Sequence, residues 1–383
     1  MQVLRSPTPA RQDRVPWGPW FAQDDNDVGV GWRMLGARRF AVGFRRNNVM
    51  RIRLTVVTLV AISALAAQAQ KRMPQELVPK NGPRATLVRE ANLYVEPDES
   101  SSRVSVITRG REMVIVERSG NWLRVFANID APESRQSDMP TMEQDQDVTP
   151  LSGWMLNKGV IDVNTPHGDQ ILFGEAVSQE DAASQSHPPP GAAMAARLLY
   201  KRVVEMFPKS PLTPEAMWRA ADIRWQLQKA DAATLPSAHE KESYLREQMD
   251  ENEMHNIEKY FPHTKWADFA AYDLIDNKLC GDWQGSEKCP EKEADLYVKY
   301  ADDHPDSIRA PEALYKAAWR LAAAGDMWTA DGNDGKAKED RGHAADLAGR
   351  LQTKYPDSEY AARAADLVYK MDSGIPVYGS DRE

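Results

Sequence analysis

The chain has 383 residues, a net charge of −9 and two cysteines. So acidic a balance excludes nucleic-acid binding by phosphate neutralisation, which needs clustered cations. It also argues against adhesion to anionic lipid, and the length allows two domains behind a leader.

Residues 1–49 carry eight arginines, no lysine and little periodicity. They read as a misassigned start ahead of Met50, or as an extended leader. Residues 50–69 have the three parts of an export signal. Arg51 and Arg53 form the basic region, Leu54 to Ala67 the apolar run, and Ala67-Gln68-Ala69 the cleavage pattern. The run is too short for a membrane span of about 20 apolar residues. Lys71 and Arg72 follow it. Export to a periplasm of Gram-negative type is the expectation. No cysteine follows the cleavage point, so no lipid anchor is expected. Residues 1–69 hold ten arginines and four aspartates, which leaves about −15 on the remainder. Such a body favours basic or uncharged partners.

Residues 84–163 read as a small all-β barrel of five short strands with turns between them. The segments are "ANLYVEP", "RVSVITRG", "EMVIVERSG", "NWLRVFA" and "SGWMLNKGVIDV". The Asn92-Leu93-Tyr94 run before a proline turn, the serine-rich loop, Gly110, Gly120-Asn121-Trp122 and Gly153-Trp154 together resemble the bacterial SH3-like domain. The resemblance covers about 80 residues and implies binding of cell-wall peptide or glycan. Tyr94, Trp122 and Trp154 are the candidate ligand platforms; half-buried barrel packing is the competing reading. The family's short turn is replaced by an acidic, proline-bearing insert at 128–150, which could cover the groove.

Residues 164–191 read as a linker because "SQEDAASQSHPPPG" combines three prolines with small polar residues. From 192 to 372 the pattern is helical. "MFPKSP", "YFPHTK", "DHPDSI" and "KYPDSE" recur, with prolines at 208, 262, 305 and 356. Proline ends a helix and disfavours helix just before it, and Ser or Thr two positions on is a good N-cap. Four junctions predict four helix pairs, about eight helices, stacked as a solenoid. Apolar residues at helical spacing flank the junctions, such as Ala310, Ala313, Leu314, Ala317, Ala318 and Leu321. The segment resembles the tetratricopeptide-like repeats of bacterial envelope proteins, of the outer-membrane assembly and Tol–Pal-associated kinds. These have a shorter period, which puts insertions at "KADAATLPSAHEK", the cysteine loop and "GDMWTADGNDGKAKED".

Repeat stacks bind extended segments of partner proteins on their concave face. Trp218, Trp225, Trp319 and Trp328 are the candidates to line one, with Met194 and Tyr272; inter-helix packing is the alternative for each. Trp328 looks the most exposed, in an apparent loop. Cys280 and Cys289 lie close in a glycine-rich loop and are expected to pair in an oxidising compartment. No zinc-binding His pair, nucleophile elbow, phosphate loop or Cys–His base pair is present in the sequence. His255 and Glu258 share a helical face, which reads as a surface ion pair. No catalytic, metal or cofactor residue is named. The expectation is a non-enzymatic envelope adaptor, its barrel on the wall or an envelope partner and its repeats on protein. The alternatives are a structural subunit of an outer-membrane or secretion assembly and an accessory to a cell-wall hydrolase.

Overall fold

The computed structural model describes residues 82–130, 151–283 and 285–379. The leader, the signal at 50–69 and residues 131–150 of the insert lie outside the described residues. An N-terminal antiparallel sheet is followed by a helical repeat-like part.

Seven strands form the sheet: β1 (Arg84–Leu87), β2 (Ala91–Tyr94), β3 (Arg103–Ile107), β4 (Met113–Ser119), β5 (Trp122–Ala127), β6 (Leu151–Leu156) and β7 (Val160–Asp162). Their order is β3-β2-β6-β5-β4-β1-β7, and every pairing is antiparallel. All five expected segments hold strands, and the last splits into β6 and β7. The sheet is open, not the closed barrel expected. β7 is three residues long, and an Asp162–Thr165 turn then takes the chain off the sheet, so nothing joins β7 to β3. Alternation buries one face: Leu93, Ile107, Met113, Leu123, Val125 and Met155 share one apolar cluster.

Among the described residues there are nine α-helices. They are α1 (Gly168–Ala183), α2 (Ala192–Met206), α3 (Thr213–Ala233), α4 (Asn252–Tyr260), α5 (Lys265–Asp273), α6 (Lys288–Asp303), α7 (Ala310–Ala330), α8 (Asp334–Lys354) and α9 (Glu359–Asp372). The segment read as a linker therefore contains α1. Its buried face is Gly168, Leu172, Ala176, Glu180 and Ala183, a four-residue period with little apolar contrast. The three prolines form only the turn between α1 and α2.

The helix ends at the four proline junctions are built alike. Phe207, Phe261, His304 and Tyr355 end α2, α4, α6 and α8 with φ/ψ of −128/56, −129/50, −126/57 and −131/55. Each N–H still bonds four residues back, while the following proline forbids a further helical residue. Thr264 and Ser358 are N-caps as expected, bonding the N–H of Ala267 and Tyr360. Ser210 and Ser307 instead accept from the N–H of Leu212 and Arg309, and Pro214 and Pro311 then sit in the first helical turn. Helices α3 and α5 touch, as do α7 and α9, and α7 also packs on α6 and α8. No helix among the described residues is long and apolar enough to cross a membrane.

The sheet meets the helices at Gly110. With φ of +73 it adopts a backbone that L side chains avoid, and a Cβ there would stand 2.6 Å from the Leu198 Cβ of α2. Ile161 of β7 joins the apolar cluster of α1, α2 and α3.

Candidate functional site

Register places Tyr94 opposite Trp154, and Trp154 opposite Arg124. Trp122 lies two residues from Arg124 and so shares its face. Tyr94 and Trp122 meet edge to face at 5.8 Å. The three aromatic residues are half-buried on the sheet face opposite the core. Gly153 permits this, because a Cβ there would stand 2.7 Å from Leu93 Cγ and 2.8 Å from the Tyr94 carbonyl. The three predicted platforms thus form one aromatic band with a guanidinium in line. Such a band offers flat apolar area to a sugar face or a peptide plane. Arg124 was not singled out in the sequence. The signal was there, since Trp-x-Arg puts both residues on one face of a strand.

The helical candidates separate. Trp225 is 1% exposed, Trp218 6% and Trp319 8%. Trp218 stacks on Trp266 at 5.2 Å, and the Trp225 Nε1 donates to Asp276. Trp218, Trp225 and Tyr272 are inter-helix packing residues, not surface platforms, whereas Trp319 packs on Trp283 of the cysteine loop and shares an apolar cluster with Val377. Trp328 is half-buried and lies in the last turns of α7, not in a loop. Gly325 sits inside that helix because α8 crosses it closely: a Cβ would stand 3.1 Å from the Ala337 carbonyl. Trp328 Nε1 donates to Glu291 at 2.8 Å, and Lys336 lies over its ring. Met194 is exposed.

Cations lie over aromatic rings between neighbouring helices. Arg219 lies over Phe173 and Tyr200, Arg309 over Phe269 and Tyr272, and Lys316 over Tyr272 and Tyr297. Each cation also has a carboxylate partner, Glu180 and Glu215 for Arg219 and Glu312 for the other two. Burial pushes the Asp222 carboxyl up to about 6, and burial with the nearby Asp222 holds Asp273 well above the carboxylate range.

Cys280 and Cys289 are disulfide-bonded, with Cα atoms 6.1 Å apart. Buried Glu293 organises their loop. Its Oε1 accepts from the Cys280 N–H and Trp283 Nε1, and its Oε2 from Arg320 Nε at 2.7 Å. His255 forms ion pairs with Glu258 and Glu251 at the surface of α4.

No family model matches the chain, and no curated protein matches it. Among solved structures, a crystal structure of a de novo designed helical repeat protein aligns with 54% of this chain and 94% of its own, at 15% identity and a TM-score of 0.20.

Proposed function

We propose that this chain is a non-enzymatic, exported adaptor of the bacterial cell envelope. Its sheet, of bacterial SH3-like type, engages the cell wall, and its tetratricopeptide-like helices hold a protein. The observation that carries the reading is the gathering of Tyr94, Trp122 and Trp154 on one half-exposed sheet face. A sheet needs only one apolar face to fold, so half-exposed tryptophans on the second face are surface available to a ligand. The sheet–helix ion pairs at Arg202 favour a second reading, a rigid structural subunit whose sheet is a spacer.

Co-sedimentation with purified peptidoglycan separates the two. The protein should pellet with the wall, and Trp122→Ala and Trp154→Ala should each remove most of that binding. Pelleting by both variants at the parent level would move the site off this face. A parent that stays in solution would favour the structural subunit.

A further inference from the structure

After α9, Gly374 takes φ of +66 and turns the chain back over the helices. Residues 375–378 then run as a short strap against Asp326 of α7, without regular structure to Val377 and turning at Tyr378. The N–H groups of Val377 and Tyr378 both donate to Asp326 Oδ2, at 2.6 and 3.1 Å. Arg341 holds the other oxygen of that carboxylate at 2.8 Å. Val377 is 4% exposed and belongs to the apolar cluster that contains Trp319. The Tyr378 ring stacks on Trp283, with centroids 6.0 Å apart and planes 12° apart.

The strap is held as a bound peptide is held. Its polar anchors are two successive main-chain N–H groups, which any segment able to take the same turn supplies. One side chain is buried, while Ile375 and Tyr378 are each 44% exposed. Gly374 and Gly379 flank it, both with positive φ and with open space where a Cβ would be. The segment is tied to the last turn of α9 by the Ile375 N–H on the Lys370 carbonyl, apart from its contacts with Asp326.

We propose that the groove formed by Asp326, Trp283 and Trp319 binds a short segment of a partner protein bearing an apolar residue followed by an aromatic one, and that residues 375–378 cover it in cis. This rests on the helical part being the protein-binding half. Cover in cis lowers apparent affinity by the fraction of time the groove is closed.

The test uses the full chain and a fluorescent synthetic peptide, Gly-Ile-Pro-Val-Tyr-Gly, the sequence of residues 374–379. Val377→Asp and Tyr378→Ala each loosen the strap, and circular dichroism confirms their helicity. The folded variants should bind the peptide at least tenfold more tightly than the parent. Adding Asp326→Asn should remove most of that gain. Peptides that keep only the Val-Tyr pair in an alanine background should bind as well as the native sequence. If neither strap variant, with parental helicity, gains affinity, the strap is ordinary packing and the proposal fails. Binding of the native sequence alone makes the groove a socket for its own tail, which also overturns it. Capture of an envelope protein by a chain whose variants ignore the peptide would sink the groove while leaving the adaptor reading intact.

Discussion

Arg202 of α2 donates its Nε to the carbonyl of Gly110, 92 residues earlier in the chain, at 3.0 Å. The same guanidinium pairs with Glu112 and Asp130, and its side chain is 3% exposed. The sheet and the first helices are thus joined through a buried cation. Removing one partner of such a group leaves the others buried and uncompensated, at about 3–5 kcal/mol. Arg202→Met should lose stability of that order in urea unfolding followed by circular dichroism. Gly110→Ala should also be destabilising, since both the space and the positive φ are denied to alanine. Losses below about 1 kcal/mol in both variants would show that the junction is not where the two parts are held.

The tryptophans should divide into two classes. Trp225→Ala empties a fully packed position and should cost about 3–5 kcal/mol. Trp122→Ala removes a half-buried ring from the outer face, so its cost should be clearly smaller, with wall binding lost instead. Thermal melts and pelleting on the same preparations check both. Equal destabilisation by the two changes would make Trp122 a packing residue.

Asp222 gives the chain an unusual pH response. Its carboxyl is pushed up to about 6 by burial, with Gln226 donating to it and Arg309 and Arg219 nearby. Between the ordinary value of 3.8 and about 6 the folded chain binds more protons here than the unfolded one. This group's contribution to stability is therefore full below that window and declines as pH rises through it. Asp222→Asn keeps an acceptor for Gln226 and removes the charge. The variant should melt above the parent at pH 7.5, with the gap narrowing towards pH 5. A gap independent of pH would mean that Asp222 is not the titrating group.

Reduction of Cys280–Cys289 opens a short loop, and the chain-entropy argument assigns such a closure about 2–3 kcal/mol. The same loop positions Trp283 through Glu293. Dithiothreitol should lower the melting temperature and shift tryptophan emission together. The Cys280→Ser, Cys289→Ser double variant should reproduce both effects and no longer respond to reductant. An unchanged melt after confirmed thiol labelling would show that the Glu293 bonds alone hold the loop.

The readable parts of the sequence were those where one residue type dictates backbone. Pro208, Pro262, Pro305 and Pro356 marked four helix-to-helix junctions because proline excludes helix locally, whatever packs around it. Short apolar runs between turn residues exposed β2 to β6 for the same local reason. β1 went unread: Ala85, Thr86 and Leu87 are all buried, so no alternation survives. α1 was hidden because Gly, Ala and Glu carry its inner face. The end of α7 read as a loop because Gly325 and Asp326 look like breakers, yet each is there for a tertiary contact, with α8 and with the strap. At the candidate site, residue identity could be read but not solvent access. Trp122 and Trp225 are the same amino acid, and only the placement of neighbouring elements separates surface from core.

The four proline junctions share one backbone conformation although the helices between them differ in length. Length is therefore free to vary within a unit while the helix end at each proline is fixed. Each unit therefore ends on the same helix-terminating geometry. On the far side of the proline the match is pairwise: the junctions at Pro208 and Pro305 lead into helices with a second proline in the first turn, those at Pro262 and Pro356 do not, so the repeat alternates two kinds of joint.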